Sequence, residues 1–98
     1  MVRIHVYPPI SKMLGLVNGI SKVTQEVNTE PNHSLRDLFE HLAVEYSGFL
    51  ELADDEHGKL LSGVWIIVDG KMIVGEKRME TLLRDNAEVL LMPSYRGG

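Results

Sequence analysis

One amphipathic helix in the middle of the chain limits the possible folds more than any other feature. Between Ser34 and Gly48, apolar residues recur at intervals of three and four and form one stripe about a hundred degrees wide. Ser34 is suited to cap the first turn, with Asp37 as the acid of a capping box, and Gly48 is expected to end the helix in the left-handed conformation. Such a helix needs a sheet to cover its apolar face. The stripe consists of Leu35, Leu38, Phe39, Leu42 and Tyr46.

Five short segments have the composition of β-strands. Pro8-Pro9 ends the first, because proline cannot donate a hydrogen bond to a sheet, and Asp69-Gly70 is a hairpin signal between the third and the fourth. Residues 10–19 predict a short helical turn inside a loop. The order strand, strand, helix, strand, strand, strand predicts an α+β fold, with one helix across one face of a five-stranded mixed sheet. The strands are residues 2–7, 22–27, 64–68, 72–74 and 88–92.

Size and charge exclude several classes of function. The 98 residues are expected to form one domain, residues 1–92, and a flexible tail, residues 93–98. The formal net charge of -4 argues against a nucleic-acid partner, because phosphate binding needs a basic face. The sequence has no apolar run that could cross a bilayer, no signal-peptide pattern and no cysteine. A cytoplasmic location fits these features.

The third and fifth strands are apolar on both faces, and one helix covers only one face. We expect Trp65 and Ile67 of the third strand, with Val89 and Leu91 of the fifth, to form an apolar surface for a partner. Two alternatives leave no such surface. Either the loop of residues 10–20 folds over it, or the strands are central and buried on both sides.

The body of the chain carries no pattern of an active site. It lacks a nucleophile elbow, a phosphate-binding loop and a dinucleotide fingerprint. His33, Asp37 and His41 have the spacing of metal ligands on a helix, but His33 precedes the helix cap, so we expect no metal site. The acidic segment 54–56 lacks the alternating ligands of a calcium loop, and His57 has no companion base.

The last six residues leave the terminal carboxylate as the candidate for chemistry. They follow a strand directly and reach about 20 Å when extended. Gly97 and Gly98 have no Cβ, so this backbone fits a narrow channel and can present the Gly98 carboxylate to a partner's catalytic centre. A carboxylate is a poor electrophile and needs activation, for example as an acyl adenylate. A frayed end and a truncated chain are the alternatives.

Taken together, these features resemble the ubiquitin-like β-grasp sulfur carriers. The nearest are the MoaD family, the small subunit of molybdopterin synthase, and the ThiS family of thiamine biosynthesis. The resemblance covers nearly the whole chain, and its specific part is the terminal Gly97-Gly98. It implies a β-grasp fold whose first and last strands are adjacent and parallel. The other matching features are the capped helix, the run Leu82-x-x-Asp85-x-x-x-Val89 and Pro93.

The resemblance implies a carrier rather than an enzyme. It implies that an ATP-dependent adenylating enzyme of the ubiquitin-activating kind adenylates the carboxylate of Gly98, and that sulfur replaces AMP to leave a thiocarboxylate. The sulfur is then donated to a biosynthetic enzyme such as the molybdopterin synthase large subunit. ATP is used by the partner, and no cofactor stays bound to the carrier. We expect Gly97 and Arg96 to belong to the part of the tail that enters the partner.

Two departures from the family pattern leave the destination of the activated carboxylate open. Residues 85–88, Asp-Asn-Ala-Glu, replace the usual Asp-Gly-Asp-Glu, a turn that asparagine also allows. Tyr95-Arg96 stands where small or apolar residues are common, and an Arg-Gly-Gly ending is similar to ubiquitin and the archaeal ubiquitin-like modifiers. The alternatives are a protein modifier joined to lysines through Gly98, a ThiS-like carrier, and an interaction module whose tail has no function.

Overall fold

The structure, a computed structural model, describes residues 1–16, 22–28, 33–50, 63–75 and 77–93. A short 3-10 helix, Arg78–Glu80, precedes the last strand. None of the helices described is both long and apolar enough to cross a membrane. The other elements, in chain order, are β1 (Val2–Val6), α1 (Ile10–Met13), β2 (Val23–Val27), α2 (Leu35–Ala43), β3 (Val64–Val68), β4 (Lys71–Ile73) and β5 (Glu88–Pro93).

The five strands form one mixed sheet in the order β2-β1-β5-β3-β4. β1 and β5 are parallel neighbours, whereas β2 pairs with β1, and β3 pairs with β4 and β5, in antiparallel register. The main helix, α2, packs against one face of the sheet, which we call the inner face, and the opposite face is the outer face. This is the β-grasp fold. The predicted fold class and the parallel pairing of the first and last strands are confirmed.

The helix α2 begins where the sequence predicts, because Ser34 and Asp37 form a reciprocal capping box. The Ser34 hydroxyl accepts a hydrogen bond from the Asp37 N–H at 3.2 Å, and the Asp37 carboxylate accepts one from the Ser34 N–H at 3.0 Å. The helix ends at Ala43, before Tyr46, because the next two amides donate to carbonyls three residues back in a tighter turn. Tyr46 still packs against the core.

Gly48 has a different role from the predicted helix cap. Its backbone is not left-handed, so that prediction is wrong. A Cβ at this position would lie 3.0 Å from the Cα of Leu14, so Leu14 would have to move by a few tenths of an ångström to admit a side chain. Glycine therefore suits this position because the segment after α2 approaches the end of α1.

The inner face and α2 enclose a continuous hydrophobic core. Phe39 has no exposed surface, and its ring centroid lies 5.9 Å from that of Phe49. Phe49 follows the predicted helix, in a stretch for which the sequence predicts no regular structure. In β2 the buried residue is Val27, while Val23 is only half-buried. The other core residues from the sheet and α2 include Ile4, Val6, Leu35, Leu38, Leu42, Ile66, Val68, Val89 and Leu91.

The hairpin and the strand ends follow the sequence closely. Asp69 and Gly70 have φ values of 50° and 82°, as a two-residue turn between β3 and β4 requires, so the predicted hairpin is confirmed. β5 continues one residue further than predicted, to Pro93, which stands opposite Val64. Proline is tolerated there because it sits at the end of a strand. The 3-10 helix, which buries Met79, was not predicted.

Candidate functional site

The tail that carries the predicted chemistry starts from the centre of the sheet. Arg96, Gly97 and Gly98, with the rest of residues 94–98, lie outside the described residues. β5 reaches Pro93 between its two neighbours, β1 and β3. Pro93, the last described residue, therefore ends a central strand rather than an edge strand.

An apolar surface adjoins this point on the outer face. Leu90 and Met92 of β5 lie opposite Ile67 and Trp65 of β3, and all four side chains are half-buried. Met72 of β4 lies opposite Ile67 and is 42% exposed. We call these five residues the outer patch. Because Met92 directly precedes Pro93, the patch borders the start of the tail.

The structure divides the four residues that the sequence assigned to this surface. Trp65 and Ile67 lie on the outer face, but the assignment of Val89 and Leu91 is wrong, since both have 0% exposure. They lie opposite buried residues of β3, on the inner face. Both strands are apolar at almost every position, so their composition does not show which alternate set faces the helix. That is decided by pairing with other strands.

The two alternatives to an exposed surface, coverage by the loop of residues 10–20 and burial of central strands on both sides, are each only partly correct. The described part of the 10–20 loop places Ile10 and Leu14 in the core. β3 and β5 are interior strands of the sheet, as the second alternative supposes, yet their outer side chains are half-buried rather than buried. The outer patch therefore keeps apolar surface in contact with solvent.

The opposite end of the outer face is polar. Nδ1 of His5 lies 3.0 Å from Oγ1 of Thr24, and Nε2 of His5 lies 2.9 Å from a carboxylate oxygen of Glu88. The guanidinium of Arg3 lies 3.6 Å from the Glu26 carboxylate and 3.7 Å from that of Glu88. The hydrogen bond with His5 lowers the pKa of Glu88. These contacts join β2, β1 and β5 into one network.

Sequence reasoning missed part of this face. The alternation of polar and apolar residues in β1 already places Arg3 and His5 on the face of the strand away from its buried residues, so the sequence contained a signal for the polar network. Leu90, Met92 and Met72 gave no such signal. Leu90 and Met92 belong to the outer patch because of their register with β3, which lies far away in sequence, whereas Met72 belongs to it through the β3–β4 hairpin.

Two polar contacts fix the start of β5. The Asp69 carboxylate accepts hydrogen bonds from the Glu88 N–H at 3.0 Å and from Nε of Arg84 at 2.9 Å. The Glu88 N–H, helped by Arg84, holds the pKa of Asp69 below its ordinary value of 3.8. In the turn before β5, Asn86 has a φ of 63°, which confirms that asparagine occupies the left-handed position there.

One of the residues considered as metal ligands, Asp37, has a different role. Asp37 belongs to the capping box, and the Ser34 N–H lowers its pKa. Within the described ranges, no group of three or more His, Cys, Asp or Glu side chains could hold a metal ion. The acidic segment 54–56 and His57 lie outside those ranges.

Comparisons with known proteins concern the fold. No protein-family model and no curated protein matches the sequence. The crystal structure of SAMP1 from Haloferax volcanii is similar, with a TM-score of 0.63 and 17% identity over 99% of this chain and 98% of that one. The solution structure of small archaeal modifier protein 1 from Methanosarcina acetivorans gives a TM-score of 0.62 and 16% identity over 99% and 95%.

A third similar structure bears a different name. It is a Pyrococcus furiosus protein described as molybdopterin converting factor, subunit 1, with a TM-score of 0.52 and 19% identity over 95% of this chain and 98% of that one. At identities of 16–19%, such likeness establishes the fold. The chain has the β-grasp fold that these three proteins share.

Proposed function

We propose that this protein is a sulfur carrier for molybdenum cofactor biosynthesis, with the carboxylate of Gly98 as its reacting group. The main observation in support is the position of β5, a central strand whose last residues border the outer patch and directly precede the tail. The sequence ends in Gly97-Gly98, whose backbone is narrow enough for a partner's channel. The fold shared with a protein described as a molybdopterin converting factor subunit supports the same conclusion.

The proposed chemistry needs a partner enzyme and ATP. A carboxylate oxygen of Gly98 attacks the α-phosphorus of ATP, and pyrophosphate leaves. A hydrosulfide equivalent then attacks the acyl carbon, a carbon–sulfur bond forms and AMP leaves, which gives the thiocarboxylate. A channel that excludes water protects the acyl adenylate from hydrolysis, so side chains at positions 97 and 98 would obstruct it. The sulfur is afterwards transferred to a small-molecule substrate held by the synthase large subunit, and water supplies the oxygen that restores the Gly98 carboxylate as the carbon–sulfur bond breaks.

In this proposal the outer patch docks the adenylating enzyme. Trp65, Ile67, Leu90 and Met92 offer apolar surface next to the tail, and an apolar centre is where an interface concentrates its binding free energy. Val89 and Leu91 have no part in docking, since they are buried in the core. Arg96 is proposed to contact the partner's channel. The carrier and its ATP-using partner are placed in the cytoplasm.

The second candidate is a protein modifier conjugated through Gly98. Two observations favour it, namely the fold shared with proteins named small archaeal modifier protein 1 and the Arg96-Gly97-Gly98 ending. The activation step is the same, but the nucleophile is the amine of a lysine, and an isopeptide bond replaces the thiocarboxylate.

Intact-mass spectrometry tests the activation step. The full chain is incubated with a cognate adenylating enzyme, ATP and a sulfide source, and we expect the mass increase of exchanging one oxygen for one sulfur. Deleting Gly98 should abolish the increase, and Gly98→Ala should reduce it, while the melting temperature stays unchanged. If the chain without Gly98 is thiolated as well as the full chain, the carrier proposal is wrong.

A pair of aspartate substitutions tests the docking surface. Ile67→Asp should weaken binding to the adenylating enzyme about tenfold or more and leave the fold intact. The control is Val44→Asp, on an apolar residue that is 90% exposed at the end of α2, away from the outer face. Equal binding by both variants would remove the outer patch from the interface. Unfolding of the Ile67 variant would show that this residue belongs to the core.

Two products separate the carrier from the modifier. With the thiolated chain, a molybdopterin synthase large subunit and the small-molecule substrate that accepts sulfur on that subunit, a carrier exchanges its added sulfur for oxygen from water, which mass spectrometry detects. A modifier instead forms conjugates with other proteins that persist on a denaturing gel and disappear when Gly98 is deleted. Conjugates without sulfur transfer would favour the second candidate.

A further inference from the structure

Within the described residues, the edge strand β2 has one neighbouring strand, β1, and its other edge pairs with no strand. The N–H groups of Arg3 and Tyr7 donate to carbonyls of Ala87 and Leu91, so alternate residues of β1 starting at Arg3 face β5. The remaining residues of β1, from Val2 onward, therefore bond to β2.

This alternation shows which residues of β2 face the open edge. The partners of Val2, Ile4 and Val6 in β2 are Val27, Gln25 and Val23. Because alternate residues of a strand direct their N–H and C=O groups to opposite sides, the backbone groups of Thr24 and Glu26 point away from β1. Extending the alternation by two residues places Lys22 on the same open edge.

The side chains at these edge positions all lie on the outer face. Nζ of Lys22 lies 5.7 Å from the ring centroid of Tyr7, the Thr24 hydroxyl contacts His5, and the Glu26 carboxylate faces Arg3. The edge thus carries a cation, a hydroxyl and an anion at equal spacing. A rotation of 180° about an axis through Thr24, perpendicular to the sheet, therefore interchanges the positions of Lys22 and Glu26.

We infer that β2 is a pairing surface for a second copy of this chain. The two β2 strands run antiparallel about a two-fold axis at Thr24, so Thr24 faces its equivalent and Lys22 faces Glu26 of the second copy, twice. In an antiparallel pair, alternate opposed residues exchange two bonds, which gives about six backbone hydrogen bonds across the axis. The result is a continuous ten-stranded sheet with both α2 helices on one side.

Charge complementarity selects this partner and this register. Charged side chains on an edge strand normally oppose pairing with other strands, and like charges placed opposite each other are destabilising. At this edge the antiparallel register centred on Thr24 places opposite charges face to face at both ends. Shifting the register by two residues leaves at least one charge opposite an uncharged residue, so the edge discriminates against other alignments.

A groove adjoins one half of this edge. It has a volume of about 450 Å³ between β2 and the end of α2, and on the β2 side it is lined by residues 25–28. The groove therefore lies beside the open edge at Glu26, beyond Thr24. In the proposed register, Val23 of the second copy lies opposite Gln25, at the mouth of the groove. The outer patch lies on β3, β4 and β5, so pairing through β2 leaves it free.

Charge exchange tests the inference with the full chain. Sedimentation velocity over roughly a hundredfold range of concentration should show a monomer that converts to a dimer, since a strand-sized interface is small and its dimer weak. Lys22→Glu alone and Glu26→Lys alone each place like charges opposite each other twice. Each should raise the dimer dissociation constant about tenfold or more.

Mixing the two variants gives the decisive result. A chain with Glu at 22 and 26 complements a chain with Lys at both positions, so the mixture should form heterodimers although neither variant dimerises alone. The double variant Lys22→Glu/Glu26→Lys should dimerise like the native chain. Lys71→Glu, the same reversal on the other edge strand, should change nothing. Circular dichroism checks that each variant is folded.

Amide hydrogen exchange gives an independent readout of the same edge. Protection of the Thr24 and Glu26 amides should rise with protein concentration, while that of Val23 and Gln25, which bond to β1, should not depend on it. A native chain that stays monomeric throughout, single variants that dimerise normally, or a mixture that stays monomeric would each overturn the inference. Protection at Thr24 caused only by another protein would point to a different partner.

Discussion

The two faces of the sheet differ in what covers them, although they share one backbone. On the inner face, alternate residues of β1, β3 and β5 pack against α2 without exposed surface or nearly so. On the outer face, the intervening residues form the half-buried outer patch at one end and the polar network at the other. Coverage by α2 therefore buries the inner face of these strands and leaves the outer face partly in contact with solvent.

β5 shows this division within four consecutive residues. Val89 and Leu91 have 0% exposure, while Leu90 and Met92 between and after them are half-buried. Apolar surface that is already buried contributes to folding, whereas apolar surface in contact with water can still contribute to binding. The same strand therefore serves the core and borders the tail.

Adjacent aspartate substitutions give the largest expected contrast between the faces. Leu91→Asp buries a carboxylate among apolar side chains and should cost more than about 5 kcal/mol, enough to prevent folding. Leu90→Asp places the charge on the outer face, beside His5 in the register, and the chain should remain folded. Circular dichroism and chemical denaturation measure both. Equal stability of the two variants would contradict the division of β5.

Truncation of the core aromatic is the next largest effect. Phe39→Ala should lower the free energy of unfolding by about 3–5 kcal/mol, because removal of the buried ring that packs against Phe49 leaves a cavity in the core. Ile67→Ala on the outer face should cost less than about 2 kcal/mol, since its side chain is only half-buried. Urea denaturation gives both values. An unchanged midpoint for the Phe39 variant would remove α2 from the core.

The sequence predicts which face of a strand is buried only where polar and apolar residues alternate along that strand. β1 alternates polar and apolar residues, so its buried face follows directly, and the capping box and Asp69-Gly70 hairpin are local signals with specific chemistry. β3 reads Val-Trp-Ile-Ile-Val, and because all five residues are apolar, its sequence does not show which side chains are buried. The buried set in β3 and β5 follows from nonlocal register, which is why Val89 and Leu91 were misassigned.

The same reasoning explains what was missed at the candidate site. Leu90 and Met92 join the outer patch through their register with β3, and Met72 through the hairpin. Phe49 is buried next to Gly48, where the segment after α2 closely approaches Leu14. No local pattern encodes that approach. Gly97 and Gly98, in contrast, were identified by residue type alone, and their role stays a prediction.

Loss of the helix cap should have an intermediate effect on the inner face. Ser34→Ala removes the hydroxyl that accepts the Asp37 N–H, and we expect a loss of about 1 kcal/mol. Ser34→Thr retains an oxygen acceptor and is the control. Thermal denaturation compares them. A loss as large as that of Phe39→Ala would mean that α2 depends on its cap more than on packing.

The smallest expected effect concerns the polar contacts that fix the start of β5. The Glu88 N–H and Arg84 lower the pKa of Asp69, so the folded state binds a proton there less readily than the unfolded state does. Its contribution to stability is therefore complete well above the ordinary value of 3.8 and is lost as the pH falls through the lower folded-state pKa.

Asp69→Asn keeps a residue that tolerates the left-handed turn but has no charge at any pH. The native chain should be more stable than this variant by at most about 1 kcal/mol at neutral pH, and the difference should shrink on acidification. Denaturation curves of both proteins across this pH range measure it, and a difference that grows toward low pH would contradict the assignment.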